Sequence, residues 1–563
     1  MSSHSRLIVG GLVILVLSSS VAGHPLDALS ATEIRSTVEI LRSSDFLEAG
    51  ARFATLTVQD NDKSDVRAWQ PNASYERRAF VVVVQGDRVF EAVVDITNRN
   101  VDSWVEVQGV QPRVLLHETA INELLWENVD WRTAMDRRGY DEEAAVFCAP
   151  LTPGPAVPVE YADRRILYSS CFDVTDENAM SFGQPIEGLM AVVDVRNREV
   201  LSVVDLGVVP LPPLSPGLRY EDSQQYRAPA RPVEIVTPQG SNIEIAGSMI
   251  HWDNWNFHIR VDQRVGPVVS LVTYDDQGTS RDVLYQLAVS EMFVPYMDPD
   301  RTWSWKAYMD VGEYGFGLLA SQLKPGADCP ASAHFLDQTI ADDDGNPLVL
   351  GNSVCIFERA TGDPLWRHVG DTADESVANV ELVVRMAPVV GNYDYIIDYV
   401  FNRAGDIEVR AGAAGIDAVK AVAAQSMADE SAAEDTAYGT LISPGRVGIN
   451  HDHYISFRID MDVDGAGNRA VFDEVTPQRL PPRRRDRRNI WTVSPRTIET
   501  AGPLAYSIAD GFLRIGSTER INGLGNPTSY QLYPGHTTTS VLSANDPLQS
   551  RAAWSRNPVW LSR

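Results

Sequence analysis

Two histidines separated by one residue, His451 and His453, are candidate metal ligands in this 563-residue sequence. On a β-strand, residues at this spacing point to the same face with Cα atoms about 7 Å apart, so both imidazoles can reach one metal ion. Imidazole nitrogen is a suitable ligand for copper. The same pair on a surface strand often has no function, and these two residues alone leave both interpretations open.

Asp310 is a candidate proton acceptor. It follows an aromatic-rich stretch that contains Trp303, Trp305 and Tyr308. Burial among aromatic rings disfavours the charged form of a carboxylate and raises its pKa, which suits a base that abstracts a proton near neutral pH. A buried carboxylate without a catalytic role is the alternative that the residues alone leave open.

The segment Asn392-Tyr393-Asp394-Tyr395 is the third candidate. It overlaps the turn signal Gly391-Asn392 and precedes an apolar run at 396–401, which is rich in β-branched and aromatic residues. This pattern predicts a β-strand with a polar start. Phenol side chains in strands are usually core residues, so a chemical role for this segment depends on its neighbours.

Asp460-Met461-Asp462 begins like the calcium-binding loop of an EF-hand. The twelfth position of such a loop is normally glutamate, but here it is Val471, and no helix pattern precedes the segment. The sequence therefore argues against an EF-hand. A charged turn is the interpretation that the residues alone leave open.

The elements that must position these residues are predicted to form three units. Patterns of helix followed by strands occur at 24–112 and at 113–209, and they indicate two small α+β domains. A proline-rich linker at 210–238 leads to short alternating strands over 239–563, which predict a large antiparallel β-sandwich. Within it, the alanine-rich segment 411–433 predicts a loop or a helix.

Local signals predict several elements of the two small domains. Ser30 followed by Glu33 is a capping-box pattern at a helix start. Strands are predicted at 78–84 and 89–96, a helix at 118–136, and a hairpin of two strands between 189 and 206.

Charge and the N-terminal segment limit the possible functions. The net charge of −28 and the isoelectric point near 4.7 argue against nucleic-acid binding, because phosphates would be repelled. Arg6, the apolar run 7–17 and small residues up to Gly23 predict a secretory signal peptide at 1–23, whose cleavage leaves His24 first. A retained anchor is the alternative. No other segment of the sequence is apolar enough to span a membrane.

Four cysteines fit an exported protein, since disulfides persist in oxidising compartments. Pairing of Cys148 with Cys171 and of Cys329 with Cys355 is the simplest of the three possible connectivities. Neither spacing is a CxxC motif, so the sequence gives no support to zinc binding or thioredoxin chemistry at these cysteines.

Three segments taken together resemble the copper amine oxidase family: Tyr308–Gly315, Asn392–Tyr395 and His451–His453. The resemblance extends from His24 to the C-terminus. It implies two small α+β domains followed by the β-sandwich, and assembly as a homodimer. The implied reaction converts a primary amine, O2 and water into an aldehyde, ammonia and hydrogen peroxide.

The resemblance also implies a role for each residue of the site. Tyr393 is the precursor of topaquinone, a protein-derived quinone that forms a Schiff base with the amine, and Asp310 is the base that removes the α-proton. Tyr308 corresponds to the gate of the substrate channel. Tyr296 corresponds to a tyrosine that hydrogen-bonds a quinone oxygen, and Asn392 helps to hold the ring.

Copper is implied at His451 and His453. The family's third histidine ligand is expected further along and is not found in this sequence, so we expect the chain to be incomplete at its C-terminal end. A catalytically inactive, amine-oxidase-like β-sandwich that serves as a binding or dimerisation module is the alternative function. The family also implies a peripheral calcium-type site at Asp460, the Met461 carbonyl and Asp462.

Overall fold

The structure, a computed structural model, describes residues 23–214, 219, 230–231, 233–370, 374–482, 486–504, 510–535 and 537–562. The predicted signal peptide, apart from Gly23, lies outside these residues, as does part of the predicted linker. Antiparallel sheets dominate, as the sequence predicted. In the described residues, no helix has the length and apolarity that crossing a membrane requires.

The first region is a helix packed on a four-stranded antiparallel sheet of order β1-β2-β3-β4. Its elements are α1 (Ala31–Ser43), β1 (Arg52–Gln59), α2 (Lys63–Ala68), β2 (Arg78–Gln85), β3 (Arg88–Asp95) and β4 (Asn100–Val107). The predicted capping box is present, because the Ser30 N–H donates to the Glu33 carboxylate at 2.8 Å and the Glu33 N–H donates to the Ser30 hydroxyl at 3.3 Å. Ile34 and Leu41 of α1 are buried against the sheet.

The second region places helices beside a sheet of order β5-β6-β8-β9, with β7 paired to β6. Its elements are α3 (Asn122–Glu127), α4 (Val129–Asp136), β5 (Val146–Leu151), β6 (Ile166–Asp173), β7 (Pro185–Ile186), β8 (Leu189–Asp194) and β9 (Glu199–Asp205). The helix predicted over 118–136 is divided at Asn128, whose side chain caps α4 by accepting the Trp131 N–H at 3.0 Å. The predicted disulfide Cys148–Cys171 joins β5 to β6 and is confirmed.

The third region is built from two large antiparallel sheets. The first contains β10 (Glu244–Ala246), β11 (Met249–Trp252), β12 (Trp255–Asp262), β13 (Gly266–Asp276), β14 (Thr279–Pro295) and β15 (Ala307–Met309), which leads into α5 (Asp310–Tyr314). The second contains β16 (His334–Ala341), β17 (Pro347–Val369), β18 (Asp374–Met386), β19 (Val389–Val390), β20 (Tyr393–Asn402) and β21 (Ile407–Gly415). Strand β25 (Tyr454–Met461) also belongs to the first sheet, where it pairs with β14. The remaining elements are β22 (Val419–Ala421), α6 (Ala432–Asp435), β23 (Gly439–Ser443), β24 (Arg446–Ile449), β26 (Asn468–Arg479), β27 (Asn489–Thr497), β28 (Gly502–Leu504), β29 (Gly511–Ile521), β30 (Pro527–Leu532) and β31 (Val559–Leu561).

The main hydrophobic core lies between these two sheets. Phe257 of β12 and Phe401 of β20 stack across it with ring centroids 4.5 Å apart. The prediction of a loop or helix over 411–433 is wrong in its first part, because β21 continues to Gly415 in register with β20. The second predicted disulfide, Cys329–Cys355, is confirmed.

Candidate active site

Strand β20 directs two tyrosines, Tyr393 and Tyr395, into the core of the sandwich. The two-residue loop before it contains Gly391, whose φ of +60° is a left-handed conformation that glycine adopts without steric cost. Asn392 anchors this loop, because its Nδ2 donates to the Ile416 carbonyl at 2.6 Å. The predicted positioning residue therefore fixes the backbone directly before Tyr393.

His451 and His453 lie just before β25, not within a strand as predicted. Their ring centroids are nevertheless 5.1 Å apart. His451 forms a β-bridge with Tyr296, and the two rings stack at 4.4 Å. The bridge to Tyr296, which directly follows β14, therefore sets the position of His451; alternation along a strand does not.

The predicted cofactor precursor and a predicted metal ligand are in direct contact. The Tyr393 hydroxyl lies 2.8 Å from Nε2 of His451, and Nδ1 of the same ring lies 2.7 Å from the Ile449 carbonyl oxygen. A carbonyl oxygen can only accept, so Nδ1 carries the ring proton and Nε2 accepts from the tyrosine hydroxyl.

A second hydrogen-bonded chain connects Asp310 to His453 through Tyr395. The Tyr395 hydroxyl donates to Oδ2 of Asp310 at 2.7 Å and lies 2.9 Å from Nδ1 of His453. Burial raises the pKa of Asp310 to about 7; the Tyr395 hydrogen bond opposes this increase, and the negative charges of Glu313 and Glu291 add to it. A carboxyl group with this pKa is present in both acid and base forms near neutral pH, as a proton acceptor requires.

The two imidazoles fit a pair of copper ligands. Burial lowers the pKa of His453 to about 4, with a further decrease from His451 that Asp452 opposes, so the ring is neutral at pH 7. Neutral imidazole is the form that binds a metal ion. Across the described ranges of the chain, no group of three His, Cys, Asp or Glu side chains is placed to hold a metal.

A cavity of about 240 Å³ lies beside β20, between the second and third regions. Gly391 and Asn392, which directly precede Tyr393 in the sequence, form part of its wall. Seven aromatic residues line it: Phe147, Phe172, Phe182, Tyr296, Trp303, Tyr308 and Tyr314. The predicted gate and the predicted quinone partner, Tyr308 and Tyr296, therefore lie on one wall, with ring centroids 6.1 Å apart.

Two candidate functional residues were missed by the sequence analysis. Tyr395 is the last residue of the segment Asn392–Tyr395, and its spacing of two residues from Tyr393 on a strand indicates that both phenols share a face. Lys306 lines the aromatic cavity, and its place within the aromatic-rich stretch was the available signal.

The residues predicted to bind calcium lie elsewhere, at the end of β25. Nζ of Lys63 is 2.6 Å from Asp460 and 2.7 Å from Asp462, and Arg67 also pairs with Asp462. Met461 lies between them in the β14–β25 ladder. Two cations from helix α2 already neutralise these carboxylates, so the residues present do not fit a calcium ion.

Comparison with known proteins identifies one family. Residues 244–563 match the copper amine oxidase enzyme domain, and residues 24–107 match the copper amine oxidase N2 domain. The primary amine oxidase of Klebsiella aerogenes is 38% identical over 558 residues, covering 96% of this chain and 73% of the relative. The copper-containing amine oxidase gamma 2 of Arabidopsis thaliana is 34% identical over 563 residues, covering 96% of this chain and 81% of the relative.

Solved structures give the same fold. A copper-containing benzylamine oxidase from Hansenula polymorpha superposes with a TM-score of 0.85 at 21% identity, covering 96% of this chain and 86% of that chain. An amine oxidase from Aspergillus nidulans gives a TM-score of 0.76 at 19% identity, covering 95% of this chain and 78% of that chain. With the sequence matches and this shared fold, the chain belongs to the copper amine oxidase family of oxidoreductases.

Proposed function

We propose that this protein is a copper- and topaquinone-dependent primary-amine oxidase. It converts a primary amine, O2 and water into an aldehyde, ammonia and hydrogen peroxide. The observation that carries the proposal is the pair of hydrogen-bonded chains, Tyr393 with His451 and Asp310 through Tyr395 to His453. A phenol, two imidazoles and a carboxyl group of raised pKa are thereby combined in one buried site.

His451 and His453 would hold copper, and Tyr393 would become the cofactor. Topaquinone at this position would supply an electrophilic carbonyl and an acceptor for two electrons. Asn392 would hold the backbone directly before that ring in place through its hydrogen bond to the Ile416 carbonyl.

The residues of the chain itself bind the amine and move its proton. The aromatic walls of the cavity exclude water from the reacting end of the substrate. Asp310 accepts the proton from the substrate carbon next to nitrogen, and the Tyr395 hydroxyl holds the carboxylate in place. Glu291 fixes the start of α5, because its Oε1 accepts the N–H groups of Val311 and Gly312 at 3.0 Å each.

Metal analysis and quinone staining of the purified chain, after incubation with copper in air, test this proposal. We expect copper and a positive quinone stain in the wild type. Tyr393→Phe is the matched variant, which should bind copper without giving the stain. Absence of both copper and quinone from the wild type would contradict the oxidase function and leave the inactive binding or dimerisation module.

We also propose that the protein is secreted and forms a homodimer. The two disulfides support an oxidising compartment, and the family supports the dimer. N-terminal sequencing of the exported protein should give His24 as the first residue. Light scattering should give twice the mass of one chain, and a monomer at micromolar concentration would contradict the dimer.

A further inference from the structure

The cavity beside β20 is small, and the loop before the proposed cofactor residue lies on its wall. Gly391 and Asn392, which directly precede Tyr393, form part of its wall. Its volume of about 240 Å³ is below the roughly 300–1,000 Å³ of common ligand sites, so it suits one small amine. An amine that reacts near Tyr393 therefore places its tail among the aromatic rings.

Lys306 adds a positive charge to this cavity. Its Nζ lies 3.5 Å from the centre of the Trp303 ring and 5.8 Å from that of Trp305. Burial lowers the pKa of Lys306 to about 8, and the side chain is still mainly protonated at pH 7. Within the part of the chain that the structure describes, this ammonium has cation–π partners but forms no ion pair with a carboxylate.

The acidic side chain on the cavity wall, Glu187, is already bound by other groups. One oxygen accepts Nε1–H of Trp303 at 2.9 Å and the Thr302 hydroxyl at 3.2 Å, while the other accepts the Ala421 N–H at 3.3 Å. An incoming cation would compete with these donors and with Lys306, whose pKa the charge of Glu187 already raises against the effect of burial. Glu187 is therefore a poor partner for a second substrate charge.

The next carboxylates are also occupied. Nζ of Lys420 lies 2.8 Å from Asp298 and 3.5 Å from Asp300. A second ammonium on a substrate would meet the ammonium of Lys306 inside the cavity and would lose its hydration without gaining a free carboxylate.

We propose that Lys306 makes the enzyme select primary monoamines with an uncharged aromatic or alkyl tail and reject diamines. This inference rests on the proposed amine-oxidase function and names the substrate class of the same site. Lys306 acts as a specificity-determining residue, because its charge repels a tail that carries its own charge and does not affect one without charge.

A matched pair of amines tests the proposal. n-Pentylamine and 1,4-diaminobutane have the same number of heavy atoms and the same reacting end, but one ends in a methyl group and the other in an ammonium. Binding is measured by calorimetry at pH 7, and kcat/KM by peroxide release. We expect the wild type to prefer n-pentylamine by about tenfold or more in both measurements.

Variants at position 306 separate charge from packing. Lys306→Met should reduce the preference to within about threefold, whereas Lys306→Arg should retain it. Lys324→Met, on an exposed loop, is the control and should leave the ratio unchanged. A wild type that prefers the diamine, or a Lys306→Met ratio equal to that of the wild type, would overturn the proposal.

The calorimetric measurement distinguishes this inference from the proposed function. If neither amine is oxidised but the binding preference depends on Lys306, the oxidase function fails and the selectivity stands. If n-pentylamine does not bind to the wild type at millimolar concentration, the selectivity itself is overturned.

Discussion

Two buried carboxylates, Asp310 and Asp462, have opposite electrostatic surroundings. Asp310 is 4% exposed and Asp462 is 0% exposed, and burial raises the pKa of both carboxyl groups. Lys63 and Arg67 contact Asp462 and oppose this increase. Asp310 has the hydroxyl of Tyr395 as its partner instead, and the charges of Glu313 and Glu291 raise its pKa further.

The comparison shows that burial alone does not decide the role of a carboxylate. A buried carboxylate held by two cations ties together the elements that supply them. A buried carboxylate without a cation accepts a proton near neutral pH. In this chain the first arrangement joins helix α2 to the end of β25, and the second lies beside the predicted cofactor.

The largest difference between the two carboxylates should appear in catalysis. Asp310→Asn keeps the shape of the side chain but removes the proton acceptor, so kcat should fall by about 10³-fold. Peroxide release at saturating amine measures the effect, with copper and quinone content as the control. A variant with unchanged cofactor content and activity within tenfold of the wild type would show that Asp310 is not the base.

Removing a cation that contacts Asp462 should lower the stability of the protein. Lys63→Met or Arg67→Met leaves a buried carboxylate with one cation fewer, and the free energy of unfolding should fall by about 3 kcal/mol. Urea unfolding measures the change. Arg88→Met, which removes an exposed ion pair with Glu48, is the control and should cost about 0.5 kcal/mol or less.

The hydrogen bond from Tyr395 to Asp310 should influence how kcat/KM depends on pH. The pKa of about 7 predicts that kcat/KM rises with pH through neutrality as the carboxyl group loses its proton. The Tyr395 hydrogen bond lowers this pKa, so Tyr395→Phe should move the acid limb to higher pH by about one unit. If the acid limb of the variant's pH profile does not move, the Tyr395 hydroxyl has no influence on the pKa of Asp310.

Calcium should give the smallest effect. Because Lys63 and Arg67 occupy the carboxylates, we expect added calcium or a chelator to change the melting temperature of the wild type by less than about 1 °C. The double variant Lys63→Met/Arg67→Met should gain a calcium-dependent increase. A clear increase in the wild type would instead show that calcium displaces the cations.

Much of the candidate site could be proposed from the sequence because its residues stand out locally. Asp310, Tyr393 and the two histidines have distinctive types and neighbours. In the structure, Tyr393 hydrogen-bonds His451, and Tyr395 links Asp310 to His453. The disulfides followed from sequence proximity, and the start of α1 from its capping box. These signals need only a few adjacent residues.

What could not be predicted depends on contacts that are distant in sequence. Lys63 and Asp460 are 397 residues apart, and nothing around either residue indicates its partner. The alanines before Gly415 favour a helix by propensity, but pairing with β20 holds them in a strand, since neighbouring strands override weak local preferences. His451 is likewise positioned by its bridge to Tyr296.

The cavity beside β20 is lined by two regions of the chain, and this has a consequence for the evolution of substrate preference. Phe147 and Phe172, on β5 and β6, line the cavity of the proposed amine site, while Asp310 and Tyr393 belong to the large sandwich. Substitutions in the β5–β6 pair can therefore alter which amine is accepted without touching a reacting atom. Proteins that descend from this one can therefore change their substrate preference through the second region, while the third region keeps the residues of the proposed reaction.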